Sequence, residues 1–260
     1  MPSISVDTAA CTKDGFCVDV CPSRFLTRTA EGYPAQAANR QCIVCGHCVA
    51  VCPTGALVHS EIPADALRPV PRDLPSAAQI DALLVSRRSV RLFHDRPLPR
   101  ATLEELLDVA RRAPTAVNSQ LVHWTVVNDS EKVHALAQQI VQWTAASNPS
   151  SPMVEEWRRG YDWALRAAPT VVVASAPASY DWGAPDCAIA LTYLELAAAA
   201  RSLGVCWAGY LTRIAAIHPP LRQMLTIPTD HVVHGALMLG ERRVHYRSIP
   251  PRKPLSVQWL

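Results

Sequence analysis

The sequence predicts an α+β protein with two parts: a small cysteine-rich module, and a larger domain in which helices cover both faces of a central sheet. Three observations lead to this fold class. Seven of the nine cysteines fall within the first 52 residues. Four prolines interrupt residues 60–76. Beyond them, short β-branched runs alternate with long apolar helical stretches, which is the pattern of a sheet between helices.

Four cysteines form a tight run that ends in proline: Cys42, Cys45, Cys48 and Cys52, followed by Pro53. This C-x2-C-x2-C-x3-C-P spacing wraps one loop around an iron–sulfur cluster and sends the fourth thiolate to a neighbouring cluster. Zinc sites usually have two C-x2-C pairs separated by a dozen or more residues. Disulfides need an oxidising compartment, and residues 1–10 lack the basic start and apolar stretch of a signal peptide, so we expect a cytoplasmic protein. The motif therefore indicates a protein that moves electrons.

An imperfect copy of the motif lies upstream, with Asp14 in the slot of its second cysteine. We call this upstream copy the first motif and the run from Cys42 to Cys52 the second motif. Residues from about Ile4 to His59 resemble bacterial two-cluster ferredoxins. The resemblance implies that one 4Fe–4S cluster is held by Cys42, Cys45, Cys48 and Cys21. It implies that the other is held by Cys11, Cys17 and Cys52, with Asp14 as its fourth ligand or as a bystander. A carboxylate is a harder ligand than a thiolate, so this cluster is expected to be either Asp-ligated 4Fe–4S or 3Fe–4S.

Composition bounds the remaining possibilities. At 260 residues and 49% apolar, the chain can hold both a cluster module and a full-sized domain. We expect no membrane span, because no apolar run is long enough. The net charge of +3 is slight, which gives nucleic-acid binding little support. No G-x-G-x-x-G follows a predicted strand, which disfavours a Rossmann site. The expected organisation is a ferredoxin-like domain over 1–60, a proline-rich linker over 61–76 and the larger domain over 77–260.

The larger domain is predicted to contain three helices and four strands. The first helix runs from Ala77 to about Arg87. The second is predicted to start at a capping box, Thr102 with Glu105, and to be ended by Pro114. A third, buried helix spans 185–203 and stops at Gly204. The predicted strands are 124–127, 170–175, 205–210 and 232–239.

Four separated pieces of this domain are candidate ligand contacts. The first contains Arg87, Arg88, Ser89 and Arg91, whose guanidinium and hydroxyl donors suit a phosphate, although a basic run is often only a solvated face. The second is the turn 113–120, where Asn and Gln amides match the alternating edge of a flavin pyrimidine, although an ordinary helix-to-strand turn explains most of it. The third is 204–210, where a glycine lets backbone approach a flat ligand. The fourth is a late basic segment around Arg252.

Together these pieces resemble the nitroreductase family of FMN flavoproteins, over roughly 80–260. They match as R-R-S-x-R, A-P-T-A-x-N-S-Q, W-A-G-Y and R-K-P. The chain departs from the family after N-S-Q, where Leu121 stands in place of the common Pro. Family members are homodimers with FMN at the subunit interface. The implied FMN contacts are Arg87, Arg88, Ser89 and Arg252 at the phosphate and ribityl chain, Arg91 at N1/O2, Asn118 and Gln120 at the pyrimidine edge, and Ala208 and Gly209 near N5. Pro114 and Thr115, in the same turn as Asn118, are also implied to bind the cofactor.

The two resemblances together imply an FMN-dependent oxidoreductase. We expect it to pass electrons from a low-potential, ferredoxin-type donor through the clusters to FMN, and to reduce an electron-poor organic substrate such as a nitroaromatic or a quinone. No acid or base residue stands out as catalytic. Two alternatives stay open: a flavin dehydrogenase that sends electrons out through the clusters, and a non-catalytic electron-transfer module. His47, between two cluster ligands, is either a hydrogen-bond partner of a cluster or an exposed loop residue.

Overall fold

The structure is a computed structural model that describes residues 2–260. Its contacts divide the chain into two compact units. The cysteine unit comprises residues up to Leu74 together with Ala116–Ser119, and the sheet unit comprises Pro75–Thr115 together with Gln120–Leu260. The division at Leu74 falls within the predicted proline-rich linker. None of the helices in the described part of the chain is both long and apolar enough to cross a membrane.

The cysteine unit consists of two similar halves. Its elements are β1 (Ile4–Val6), α1 (Phe16–Asp19), β2 (Leu26–Arg28), β3 (Pro34–Gln36), α2 (His47–Val51), β4 (Leu57–His59) and a 3-10 turn at Ala64–Ala66. β1 pairs antiparallel with β4, and β2 pairs antiparallel with β3. Each short helix follows a left-handed glycine, Gly15 at φ 79° and Gly46 at φ 76°, a conformation that other residues adopt at a cost. The two cysteine motifs therefore share one backbone turn, as copies of one unit should.

The sheet unit contains a four-stranded antiparallel sheet in the order β5-β6-β8-β7. Its elements are α3 (Ala77–Ser86), α4 (Arg100–Ala110), β5 (His123–Asn128), α5 (Ser130–Ser147), α6 (Pro152–Arg158), β6 (Thr170–Pro177), α7 (Gly183–Ala200), β7 (Leu203–Trp207), α8 (Gly209–Ala215), α9 (Pro219–Met224) and β8 (His231–Glu241).

Strand β6 separates two hydrophobic cores. Val171 and Val173 pack into a core with α5, α6, α8 and α9, whereas Val172 and Ala174 pack into a core with α4 and α7. Alternate residues of a strand point to opposite faces, so this division means that both faces of the sheet are covered. The predicted α+β class, with helices on both faces of a central sheet, is confirmed.

Three local predictions are wrong. Helix α4 begins at Arg100 with Pro99 as its N-cap, so Thr102 lies inside the first turn and caps nothing. A capping box does exist, but at Ser76 and Gln79, at the start of α3. Helix α7 ends at Ala200, and Gly204 lies within β7, where an added Cβ would come 2.8 Å from Val90 Cγ1. The strand predicted over 205–210 ends at Trp207, because Gly209 opens α8.

Candidate functional site

Each of two cavities in the cysteine unit is lined by thiols from both motifs. One is lined by Cys42, Cys45 and Cys48 of the second motif together with Cys21 of the first. The other is lined by Cys11 and Cys17 of the first motif, Cys52 of the second, and Asp14. Across residues 2–260, no three His, Cys, Asp or Glu side chains converge closely enough to hold a single metal ion. The thiols surround a space instead, as the corners of a polynuclear cluster require.

The thiols of each cavity influence one another electrostatically. Burial, together with the neighbouring thiolates of Cys45, Cys42 and Cys21, raises the pKa of Cys48 to about 11. Burial likewise raises the pKa of Cys17, with added repulsion from Asp14, Cys52 and Cys11. Thiolates held this close repel one another unless positive charge lies among them. The donor sets therefore fit iron–sulfur clusters, whose metal ions supply that charge.

Backbone amides also donate toward the sulfur atoms. Phe25 N lies 3.2 Å from Cys21 Sγ, and Val44 N lies 3.3 Å from Cys42 Sγ. Such donors stabilise charge on sulfur and are among the features that set a cluster's reduction potential.

Asp14 has partners within its own loop. Its Oδ2 accepts from Thr12 Oγ1 at 2.6 Å, and its Oδ1 accepts from Phe16 N at 2.9 Å. These two bonds hold the pKa of the carboxyl below its usual value. Asp14 therefore helps to hold the start of α1 in addition to lining the cavity. Its role as an iron ligand stays a prediction.

Sequence reasoning missed His59 and considered His47. His59 is only 2% exposed and lines the cavity of the second motif, whereas His47 lines it but is exposed. The Nε2 atom of His59 lies 3.3 Å from Cys42 Sγ. The alternation of residues along β4 could have identified it, because His59 lies two residues after Leu57 and therefore on the same buried face of the strand.

A cavity of about 370 Å³ lies at the end of β7 in the sheet unit. Three arginines line it, together with aromatic side chains and Gly209. No Asp or Glu is among its lining residues in the described chain, so the cavity is positively charged and partly aromatic. These properties suit a flat, anionic aromatic ligand. The charged and aromatic lining residues are Arg91, Arg166, Arg213, Trp163, Trp207 and Tyr210.

Gly209 lines the cavity and has free space around it. An ideal Cβ built on Gly209 would meet no protein atom within 4 Å. The lack of a side chain is therefore not explained by packing within the protein. A glycine at this position would allow a flat ligand to approach the backbone closely, and the contact of Gly209 with such a ligand stays a prediction.

The R-R-S-x-R segment runs beside β7. Val90 N donates to Val205 O at 2.9 Å, and this pairing brings Arg91 to the cavity. Arg87 forms an ion pair with Glu195, with 3.0 Å between Nη1 and Oε1. Glu195 is 6% exposed and also accepts from Trp207 Nε1 at 3.1 Å. The structure thus brings only Arg91 of this segment to the cavity, and the phosphate roles of Arg87, Arg88 and Ser89 stay predictions.

The other predicted ligand contacts are dispersed. Asn118 lies in the cysteine unit, where its Nδ2 donates to the carbonyls of Ile43 and Val44 at 3.1 and 3.0 Å. Gln120 is exposed, and its backbone N donates to Thr115 Oγ1 at 3.0 Å. Arg252 is exposed in the segment after β8. The remaining two predicted contacts in this group are Pro114, which is exposed, and Ala208, which is 1% exposed and lies next to Gly209.

Comparison with known proteins assigns both units. Residues 84–241 match the model of the nitroreductase family, and residues 3–53 match that of a 4Fe-4S dicluster domain. The chain therefore belongs to the nitroreductase family of oxidoreductases and carries an N-terminal 4Fe-4S dicluster domain. Both resemblances inferred from the sequence are confirmed.

Individual relatives agree with this assignment. A 4-nitrobenzoate reductase from Nocardioides is 26% identical over 70% of this chain and 87% of its own length. A protein from Archaeoglobus fulgidus, provisionally named an NADH dehydrogenase/NAD(P)H nitroreductase, is 28% identical over 61% of this chain and 82% of its own. Among solved structures, an FMN-bound nitroreductase from Bacteroides fragilis is 25% identical, covers 69% of this chain and 99% of its own, and superimposes with a TM-score of 0.57.

Each cavity takes one thiol from the other motif, an arrangement that we call crossed. This arrangement predicts which substitutions remove the same cluster. We expect Cys21→Ser and Cys42→Ser to remove the same cluster signal, because both thiols line one cavity although they belong to different motifs. Cys11→Ser should affect the other signal. Electron paramagnetic resonance spectra of the anaerobically purified, reduced variants, together with iron analysis, provide the measurement. If Cys21→Ser instead matched Cys11→Ser, the crossed assignment would be wrong.

The free space at Gly209 predicts that a substitution there lowers the affinity for the ligand without lowering the stability of the protein. Gly209→Ala should weaken FMN binding by about tenfold, roughly 1.4 kcal/mol, because Gly209 lines the cavity and the added methyl would enter space that no neighbouring side chain fills. The free energy of unfolding of the ligand-free protein should be unchanged or slightly higher, since the methyl meets no protein atom. Fluorescence titration with FMN and chemical denaturation are the two measurements.

Gly204→Ala is the matched control. Its methyl would come 2.8 Å from Val90 Cγ1, so it should destabilise the protein by about 1–3 kcal/mol. Unchanged FMN affinity in Gly209→Ala would place the ligand elsewhere.

Proposed function

We propose that this protein is an iron–sulfur flavoenzyme that takes electrons from a low-potential, ferredoxin-type donor and delivers them to an electron-poor aromatic substrate. The observation that carries the proposal is the presence in one chain of two crossed thiol cavities and one positively charged aromatic cavity. A ferredoxin alone would need only the first of these, and an isolated nitroreductase only the second.

The thiol cavities would hold the two clusters. Cys42, Cys45, Cys48 and Cys21 would bind one 4Fe–4S cluster, and Cys11, Cys17 and Cys52 the other, with Asp14 supplying the oxygen ligand or leaving that iron site open. Clusters of this kind supply one-electron transfer when bound. The protein contributes the thiolates, the backbone donors and the burial that together set the potential. We place the enzyme in the reducing cytoplasm, which keeps thiols from pairing as disulfides.

The cavity at the end of β7 would hold the isoalloxazine ring of FMN. The charge of Arg91 would favour electron density on the pyrimidine side of the ring, and Gly209 would allow its backbone to approach N5. FMN, when bound, exchanges single electrons with one-electron carriers and passes electron pairs to organic acceptors. The FMN present in the Bacteroides fragilis relative supports this assignment.

The positive charge of the cavity also favours one chemical class of substrate. Arg166 and Arg213 add positive charge beyond what Arg91 supplies, and Trp163 and Tyr210 offer aromatic surface. An electron-poor aromatic ring that carries a negative group would be attracted to both features. The relative from Nocardioides is named for 4-nitrobenzoate, a substrate of this chemical type. We place nitroaromatic and quinone acceptors first among candidates.

Helix α7 supports a homodimer. Its outward face is mostly apolar: Ile189 is 37% exposed and Tyr193 is 40% exposed, Pro185 and Ala188 beside them are also exposed, and Thr192 is the polar residue among them. Apolar side chains at helical spacing that stay exposed in one chain are suited to burial against a second copy.

The test is anaerobic turnover with reduced ferredoxin and a nitroaromatic acceptor. Cys42→Ser should keep FMN, and its flavin should still be reduced directly by dithionite, because the sheet unit is untouched. It should lose turnover driven by ferredoxin, at least tenfold relative to wild type.

Cys187→Ala is the matched control, since Cys187 is a buried thiol of the sheet unit and should turn over as wild type does. Turnover at the native rate in Cys42→Ser would refute a route through the cluster of the second motif. Electron flow from an organic donor to oxidised ferredoxin, with none in the opposite direction, would instead support a dehydrogenase.

A further inference from the structure

We propose that His59 is a positioning residue that donates a permanent N–H···S hydrogen bond to Cys42 and thereby raises the reduction potential of the cluster held by Cys21, Cys42, Cys45 and Cys48. The inference rests on the proposed cluster. His59 lies outside both cysteine motifs, so the spacing of the cysteines does not predict its role.

The backbone determines which nitrogen of His59 carries the proton. The N–H of Glu61 donates to His59 Nδ1 at 3.1 Å. Nδ1 must therefore have a free lone pair, and the neutral ring carries its hydrogen on Nε2. Because Nε2 lies 3.3 Å from Cys42 Sγ, that hydrogen points at sulfur. The contact is a donor contact to a thiolate, with no alternative tautomer while the bond from Glu61 is kept.

The strand holds the ring in this position. His59 ends β4, where it pairs with Ile4 of β1, and its side chain is 2% exposed. A turn follows in which Ile62 N donates to His59 O at 3.1 Å, and this turn presents the Glu61 N–H to the ring. A buried polar ring is costly unless both nitrogens are paired, and here sulfur is the partner of one of them.

A fixed donor affects the two oxidation states of a cluster unequally. Reduction adds one electron, and part of the added negative charge resides on the ligand sulfurs. An N–H dipole aimed at Cys42 Sγ stabilises the more negative state more strongly, so it makes reduction easier. Val44 N already donates to the same sulfur at 3.3 Å, so Cys42 receives two donors. Because Cys42 lines the cavity of the second motif, the shift that His59 causes should appear in the potential of that cluster.

Redox titration of the holoenzyme followed by electron paramagnetic resonance tests this. His59→Leu removes the donor, and the equilibrium constant for reducing the second-motif cluster should fall about tenfold, which is about 59 mV for one electron. His59→Gln keeps an N–H donor and should recover most of the shift. The other cluster, in the same samples, is the internal control and should keep its potential. His94→Leu, at an exposed position of the sheet unit, should behave as wild type.

A second measurement is made first on the wild-type protein, so it does not depend on a His59 variant folding. Wild-type protein labelled with ¹⁵N-histidine should show a nitrogen coupling in pulsed electron–nuclear resonance of the reduced cluster, and the His47→Leu protein should keep it.

An unchanged potential in His59→Leu with full iron content, or the absence of the nitrogen coupling in wild type, overturns the inference. Absence of iron from the wild-type protein would instead refute the proposed function, so the two failures are distinguishable.

Discussion

The exchange of one cysteine between the two motifs is the constraint on which the cysteine unit depends. Cys21 follows α1 yet lines the cavity of the second motif, and Cys52 follows α2 yet lines the cavity of the first. Neither cavity is complete without the other half of the unit. The hydrophobic core of this unit contains few residues, among them Phe25, Val49 and Leu57. A unit this small needs additional cross-links, and cluster ligation supplies them when iron is bound.

In the sheet unit, a buried ion pair organises the end of β7. Glu195 on α7 binds both Arg87 and Trp207, so one carboxylate links the R-R-S-x-R segment to the strand that ends at the cavity. An unpaired buried carboxylate is strongly destabilising, and its two partners are therefore held in place. Trp207 and Arg91 then line the cavity from β7 and from the segment paired with it. The same contacts that satisfy the core carboxylate thus build one wall of the candidate flavin site.

The sequence predicted the features that short stretches of residues determine by themselves. The cysteine spacing predicted the cluster motifs, the β-branched run of β6 predicted a buried strand, and the apolar stretch of α7 predicted a buried helix. Features set by distant contacts were missed. Thr102 with Glu105 has the letters of a capping box, but Pro99 starts the helix earlier. Gly204 resembles a helix stop, but it is required by the packing of Val90 against β7. His59 and Arg166 have no motif around them, and only the folded chain brings them to their cavities.

The central claim is that electrons reach the flavin through the clusters. Rapid mixing of the oxidised holoenzyme with reduced ferredoxin that supplies two electrons per FMN, followed by freeze-quench electron paramagnetic resonance and flavin absorbance, tests it directly. We expect a reduced-cluster signal to appear first and then to decay as the flavin absorbance bleaches. Bleaching of the flavin with no prior cluster signal, at the same rate in protein lacking the second-motif cluster, would contradict it.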